Sequence, residues 1–368
     1  MNQLRSSVTH SFSSALDARE ALDMTSDSPL VSVMVPCYNA APTLRWALAS
    51  LLAQTHENWE CLFVDDGSTD ESSEVARSIN DPRIRYFRFD CNRGRGAARQ
   101  YALEKARGAY LCMLDADDWI YPDKLARQIE LLKQEPRVVA VSSSMAITRG
   151  NQLIGVRRRI SRRTRSGWAV IPIKRPGPPP LNWAPSMIRM EIAKAGHFDP
   201  KFRSAEDFDF MVRAFLGREV GIESGITYAY SEFYSVTPKK ILDGFRYSRR
   251  TYRTLNETFP LIARARAVES QWKAACYKLA IALHSEQLFV AARSSRPSEQ
   301  DLHEFAVAAE AVRAFATPSS DVRSPRCRVS SESQGRTLGH PDTLNGAPSN
   351  DRTFLTSAPR PNNRQNGA

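Results

Sequence analysis

Asp115 and Asp117, separated by Ala116, close an apolar run that ends at Leu114. On an extended segment, side chains at i and i+2 project to the same side. Two carboxylates held that way repel each other unless a cation sits between or beside them. A hard divalent ion takes oxygen ligands, often only one or two from protein, with phosphates supplying the rest. The triplet also reads as a turn whose carboxylates cap the helix expected to start near Pro122. Asp65-Asp66-Gly67-Ser68 is a second acidic turn. Its carboxylates suit hydrogen bonds from a nucleobase or a ribose hydroxyl, and they equally suit a helix N-cap. In Asn92-Arg93-Gly94-Arg95-Gly96-Ala97-Ala98-Arg99, glycines permit close backbone approach and a helix N-terminus attracts anions. Arg93, Arg95 or Arg99 would contact phosphate or hold acidic neighbours of a site, or form a solvated basic face. Glu206-Asp207-Phe208-Asp209 offers a general base for an acceptor hydroxyl, or carboxylates favoured by the dipole of a first helical turn.

Short elements position these clusters. Leu30–Pro36, Glu60–Val64, Ile84–Phe89 and Ala109–Leu114 read as strands from their β-branched and apolar runs. Residues 42–54 carry Leu44, Ala47, Leu48, Leu51 and Leu52 at helical spacing, with Pro42 suited to a first turn. A second helix is expected to enter from the glycine loop at 94–105. Alternating strands and helices argue for a mostly parallel sheet with helices on both faces. In such sheets ligands bind outside the carboxyl ends of the strands. The clusters at Pro36–Asn39, Asp65–Asp66 and Asp115–Asp118 all fall at such ends and should converge on one rim.

The 368 residues are 42% hydrophobic and 25% charged, which is ordinary for a globular protein. The net charge of +11 suggests an anionic partner: a phosphorylated substrate, a membrane surface or nucleic acid. Nucleic acid is set aside, because the positive charge lies largely in loops and tails without interleaved aromatics. Six cysteines without a C-x-x-C pair argue against a zinc site, and a disulfide framework is not expected in a chain this long. No signal peptide and no bilayer-spanning stretch is evident. The expectation is therefore a cytoplasmic protein, with peripheral contact at the inner membrane face as a further reading of the charge.

Read in order, the motifs resemble the family 2 glycosyltransferases. The resemblance runs from about Val31 to Phe215. It rests on Val33-Met34-Val35-Pro36-Cys37-Tyr38-Asn39, Phe63 to Asp70, Asn92-Arg93-Gly94 with Ala98-Arg99-Gln100, Gly108 to Asp118, Gly196 to Asp199, and Glu206 to Asp209. It implies an α/β fold of the GT-A, Rossmann-like type, with a mostly parallel sheet flanked by helices. It also implies an inverting, metal-dependent transfer from a nucleotide-diphosphate sugar, of which a UDP-sugar is the commonest. The acceptor would be a saccharide or lipid-linked hydroxyl in cell-surface polysaccharide or lipopolysaccharide synthesis. Pro36, Tyr38, Asn39, Asp66, Arg93, Arg99, Asp115 and Ala116 would bind the nucleotide sugar. Asp117 would ligate the manganese or magnesium ion, and Asp207 would be the catalytic base with Glu206 beside it. Gln100 departs from the asparagine frequent at that place.

The expected organisation is a disordered segment at 1–28, a nucleotide-sugar half at 29–130, an acceptor half at 131–236, a helical extension at 237–316 and a disordered tail at 317–368. The arginines between Arg157 and Arg165 suit phosphate, an anionic membrane, or a solvated loop. Trp168 and Trp183 suit an acceptor sugar or core packing. Two rivals stand beside the enzyme reading. One is a catalytically silent binding module of the same fold. The other is a sugar nucleotidyltransferase, which would need a glycine-rich, lysine-bearing loop where Pro36–Ala40 stands.

Overall fold

The first half of the chain forms the expected alternation because each apolar run is too short for a helix and long enough to cross a sheet. β1 spans Val31–Cys37, β2 Trp59–Asp65, β3 Ile84–Arg88 and β4 Tyr110–Met113. Between them lie α1 (Ala41–Leu52), α2 (Ser72–Arg77) and α3 (Arg95–Lys105). The structure, a computed structural model, describes residues 28–160, 167–199, 202, 204–231, 237–284 and 294–317. Residues 1–27 and 318–368, expected to lack order, fall outside the described residues, as do Arg162, Arg163 and Arg165.

The four strands pair in parallel in the order β3-β2-β1-β4. Alternate residues of each strand face opposite layers. Val31, Val33, Val35, Cys61, Phe63 and Cys112 join α1 in one core cluster. Met34, Leu62, Val64, Leu111 and Met113 join Ala98, Ala102 and Leu103 of α3 in the other.

The second half is mixed. β5 is Trp119–Ile120, α4 Lys124–Gln134, β6 Val138–Arg149 and β7 Gln152–Arg157. β8 (Trp168–Pro172), β9 (Met187–Arg189), α5 (Met190–Ala195), α6 (Glu206–Phe215) and β10 (Glu219–Ser231) follow. The sheet continues β4-β9-β6-β10-β5, with β7 on β6 and β8 on β10. β10 runs parallel to β6, whereas β9 runs antiparallel to both β4 and β6. β5, β7 and β8 are also antiparallel to their neighbours. The parallel expectation therefore holds from β3 to β4 and for β6 with β10. The antiparallel strands between and around them were not foreseen.

Three helices follow. α7 (Pro238–Thr254) starts at a Thr237 N-cap, whose hydroxyl accepts from the Lys240 amide at 3.3 Å. α8 spans Pro260–Ala282 and packs on α7. α9 spans Glu299–Ala316 and opens with a Ser298–Asp301 capping box. It packs against α1, with Phe305, Ala308 and Val312 in a third cluster beside Trp119 and Tyr121. The described residues belong to one compact unit. Among them, no helix is long and apolar enough to cross a membrane.

Candidate functional site

The carboxyl ends of β1, β2 and β4 open into a cleft of about 1,180 Å³. Pro36, Tyr38 and Asn39 line it from the end of β1, and Asp66 from the end of β2. Asp115, Ala116 and Asp117 line it from the end of β4, and Asp207 from the first turn of α6. Residues 66, 117 and 207, distant in sequence, thus share one cavity. Arg93, Arg99 and Glu206 do not line it.

The β1 and β2 ends are knotted together by the polar turn. Asp65 is fully buried and accepts from the Ser68 amide at 2.8 Å, the Ser73 hydroxyl at 2.8 Å and the Tyr86 hydroxyl at 3.1 Å. Burial alone would raise its pKa, but these hydrogen bonds outweigh burial and hold it below the ordinary aspartate range. Asn39 sits in the left-handed region, with φ 51°, and its side-chain oxygen accepts from the Thr69 amide at 2.8 Å. Asp70 accepts from the Ala41 amide at 3.0 Å, satisfying an orphan donor at the start of α1. Gly67 has φ 74°, and a Cβ there would lie 2.7 Å from the Cys91 carbonyl carbon, so the turn demands glycine.

Asp66 does structural work as well as facing the cleft. Its two oxygens accept from the Arg93 amide at 2.7 Å and the Gly94 amide at 2.9 Å, which fixes the loop into α3. Burial nevertheless keeps its carboxyl above the ordinary range. The Arg93 side chain turns away from the cleft, with its guanidinium 4.6 Å from the Phe89 ring centroid. Its part in the loop is therefore played by its backbone, a role the sequence does not display.

The acidic loop after β4 is anchored by Asp118. Its carboxylate accepts from the Tyr228 hydroxyl at 2.7 Å and from the Ser231 amide at 2.7 Å, tying the loop to β10. The same Tyr228 oxygen accepts from the Asp115 amide at 3.2 Å. Burial, with Asp117 and Asp115 close by, pushes the Asp118 carboxyl well above its ordinary range. Asp118 is therefore committed to β10. Asp117 is left facing the cleft, pushed up to about 6 by burial and by the Asp115 charge.

Arg99 lies beneath the site with 1% of its surface exposed. One guanidinium nitrogen donates to Glu206 at 2.7 Å and another to Asp115 at 2.9 Å. Arg95, one helical turn earlier, donates to the same Glu206 oxygen at 2.6 Å. The two arginines sit on one face of α3 because they are four residues apart. They outweigh burial and hold Glu206 below the ordinary glutamate range. Asp207 is different: burial and the Glu206 charge raise it, against the opposing pull of Arg99 and Arg95. A carboxylate with a raised pKa facing a cleft suits a proton acceptor, whereas ion-paired Glu206 suits an anchor.

The cleft is also lined by Asn182, Trp183, Arg157, Arg159, Lys239 and Lys240. Of these, the sequence reading singled out Trp183 and, within the basic stretch, Arg157 and Arg159. Trp183 is buried edge-on to Phe198 and Phe210, so it is a packing residue with one edge at the cavity. Its indole Nε1 and the Asn182 Nδ2 are buried without a hydrogen-bond partner. Arg159 donates to the Asn182 side-chain oxygen at 3.0 Å. Arg158 is turned from the cleft and pairs with Asp301 of α9. Trp168 joins the core on β8. Cys37, Cys61, Cys91, Cys112 and Cys276 are unpaired thiols. Lys239 and Lys240 had a readable signal, a basic doublet at a helix start, but nothing in the sequence linked that start to the rim.

Residues 32–193 match the family model described as Glycosyl transferase family 2. The family 2 match covers the knot and the acidic loop and stops within α5, before Glu206 and Asp207. An uncharacterized glycosyltransferase of Haemophilus influenzae is 39% identical over 128 residues, 34% of this chain and 51% of that protein. The succinoglycan biosynthesis protein ExoO of Rhizobium meliloti is 39% identical over 115 residues, 31% of this chain and 33% of that protein. The chain thus spans about half or less of the length of these relatives. The crystal structure of S. aureus TarS 1–349 superposes with a TM-score of 0.51 at 19% identity, covering 77% of this chain and 82% of that one. That likeness is one of fold, and the fold is of the GT-A type.

Proposed function

We propose that this chain is an inverting glycosyltransferase of family 2. It would move a sugar from a nucleotide diphosphate to an acceptor hydroxyl in the synthesis of a cell-surface polysaccharide or lipopolysaccharide. The observation that carries the reading is the sharing of one cleft by Asp66, Asp115, Asp117 and Asp207. The family match to residues 32–193 supports the donor class, and a relative named for succinoglycan synthesis supports the product class.

The donor's nucleoside would lie against Pro36, Tyr38, Asn39 and Asp66, with Ala116 beneath its ribose. A UDP-sugar is the reading we favour. The residues present fit a divalent ion. Among the described residues, no group of three or more His, Cys, Asp or Glu side chains is arranged to hold a metal. Two neighbouring carboxylates completed by phosphate oxygens are the donor set of a hard ion such as manganese or magnesium. Asp117 would hold it, with Asp115 beside it, and the bound ion would offset negative charge on the departing diphosphate.

Asp207 would take the proton from the acceptor hydroxyl as that oxygen forms its bond to the anomeric carbon. The bond from that carbon to the diphosphate oxygen breaks on the opposite face, so the configuration inverts. No enzyme nucleophile enters. The acceptor saccharide would enter from the Asn182–Trp183 side, where two buried donors, Asn182 Nδ2 and Trp183 Nε1, await hydroxyl oxygens. Burial of polar groups without partners is costly, which makes such donors useful to a polar ligand.

The deciding experiment incubates the full chain with isotopically labelled UDP-sugars, manganese and a panel of saccharide acceptors. Product with the anomeric configuration opposite to the donor's is expected, and EDTA should stop transfer. Retention of configuration would overturn the mechanism. Binding of nucleotide sugar without transfer or hydrolysis across the panel would favour a silent module.

A further inference from the structure

Helix α8 carries a row of large apolar side chains on the side facing away from the protein. Leu261, Val268, Trp272, Leu279 and Leu283, the last in the turn that ends the helix, recur at intervals of seven and four. That spacing draws one stripe along the helix axis. All five are more than half exposed, and Leu261 is 80% exposed. Ala263, Ser270 and Tyr277, on the other side, are buried. A helix of a soluble protein ordinarily shows the reverse. The exposed thiol of Cys276 lies beside the stripe.

Cations border the stripe. Arg264, Lys273 and Lys278 are exposed along it. Glu269, the acid of this helix before its final turn, is taken up by Arg266 and Lys273, each at 2.6 Å. Beside Val268 a groove of about 330 Å³ opens between α7 and α8. Arg249, Arg253 and Asn256 line it from the α7 side, and Arg264, Val268 and Gln271 from the α8 side. No carboxylate lines it. Among the described residues, no ion pair engages Arg249, Arg253 or Arg264.

We propose that α7 and α8 form a docking surface for an anionic lipid bilayer. The α8 stripe would lie in the interface plane, and the three-arginine groove would take a phosphate headgroup. An apolar face centred on a tryptophan and flanked by Lys and Arg suits the headgroup–acyl boundary. Spanning is excluded for α8, which is not apolar enough to cross. Charge argues against a second copy as occupant. A symmetric pairing of two α8 stripes would bring Arg264 and Lys278 of both copies together. A bilayer supplies the opposite sign. The start of α7 borders the cleft through Lys239 and Lys240, but the residues proposed here, Arg249 and Arg253 of α7 and the α8 stripe, do not line it, so the proposal stands or falls separately from the transfer reaction.

The test sediments the full chain with phosphatidylcholine vesicles and with vesicles that also contain phosphatidylglycerol. Binding is expected with the anionic vesicles only. Trp272→Glu combined with Leu279→Glu should lower the affinity by more than about tenfold, and so should Arg249→Glu combined with Arg253→Glu. These side chains are exposed or border the surface, and far-ultraviolet circular dichroism with thermal melts checks that the variants fold. Three results overturn the proposal. The first is no binding, or equal binding to neutral vesicles. The second is retention of affinity within about twofold in the Trp272/Leu279 variant, which would place docking on another segment. The third is a dimer by light scattering that the same variant splits, in a protein that ignores vesicles.

Discussion

Asp207 and Glu206 are neighbours with opposite electrostatics, and that contrast assigns them different work. Glu206 is neutralised by Arg95 and Arg99, whereas Asp207 faces the cleft with a raised pKa. Asp207→Asn should lower kcat about a hundred- to ten-thousand-fold and leave donor affinity unchanged by calorimetry. The proposed base must be ionised, so on that reading the wild-type rate should fall as pH drops, with its acid limb above the ordinary aspartate range. The same shift sets a stability cost. Asp207 is protonated more readily in the folded chain than in the unfolded one. Its stabilising contribution is full below the unfolded value and is lost as pH rises through the folded one. Asp207→Asn should therefore melt higher than wild type at neutral pH, a sign opposite to its effect on turnover. Arg99 gives the converse case. Arg99→Ala leaves Glu206 and Asp115 without their shared cation and should cost about 3–5 kcal/mol in urea unfolding. Arg99→Lys should recover little of that, because it lacks the planar fork that reaches both carboxylates. The acidic residues of this network were legible in the sequence. Its geometry was not, because Arg99 and Glu206 meet across 107 positions of chain and no local pattern pairs them.

The elements of the first half were legible because each is self-announcing. β1, β2 and β4 are apolar runs ending in polar clusters, and a parallel sheet puts those ends on one rim. The later elements were not. β9 has three residues and β5 has two, too few for any period to show. β5 and the acidic loop before it are held by long-range bonds from β10. Tyr228→Phe tests that support. It removes the hydroxyl that donates to Asp118 and accepts from the Asp115 amide. It should cost about 1–3 kcal/mol, because the buried Asp118 carboxyl loses a partner. The KM for the donor should rise more than kcat falls, since Asp115 and Asp117 are loosened but present. The far end of the sheet gives a contrasting element. Glu60 of β2 accepts from the Ser32 hydroxyl at 2.7 Å, Arg85 at 2.6 Å and the Arg107 amide at 2.8 Å. Burial alone would raise its pKa, and these bonds outweigh burial and hold it below the glutamate range. Its stabilising contribution is present above the unfolded value and is lost as pH falls through the folded one. Glu60→Gln should lower the melting temperature at neutral pH, narrow the gap to wild type in acid, and leave the KM for the donor unchanged.

At the scale of the molecule, the last helix and the segment leading into it join the sheet by three separate means. Ser295 and Val156 exchange backbone hydrogen bonds at 2.9 Å, Arg158 pairs with Asp301, and Phe305 and Val312 pack in the cluster of Trp119 and Tyr121. The sequence read residues 237–316 as a helical extension on the strength of helical composition alone. Composition reports a helix but not which face of the protein it covers. Part of the basic stretch likewise owes its arginines to this contact, because Arg158 is spent on Asp301 rather than on a ligand. The contact also supports the cleft. α9 covers Trp119 of β5, which directly follows Asp118, so loosening α9 should be felt at the acidic loop. Phe305→Ala should cost about 3–5 kcal/mol in urea unfolding, through the cavity it leaves beside Trp119. Leu302→Ala, on the exposed side of the same helix, should change stability by less than about 0.5 kcal/mol. The discriminating measurement is donor affinity under conditions where the Phe305 variant remains folded. If α9 braces the site, affinity falls with Phe305→Ala and not with Leu302→Ala. If affinity holds in both, α9 stabilises the sheet without reaching the acidic loop, and the brace is confined to the Asp118–Tyr228 bond.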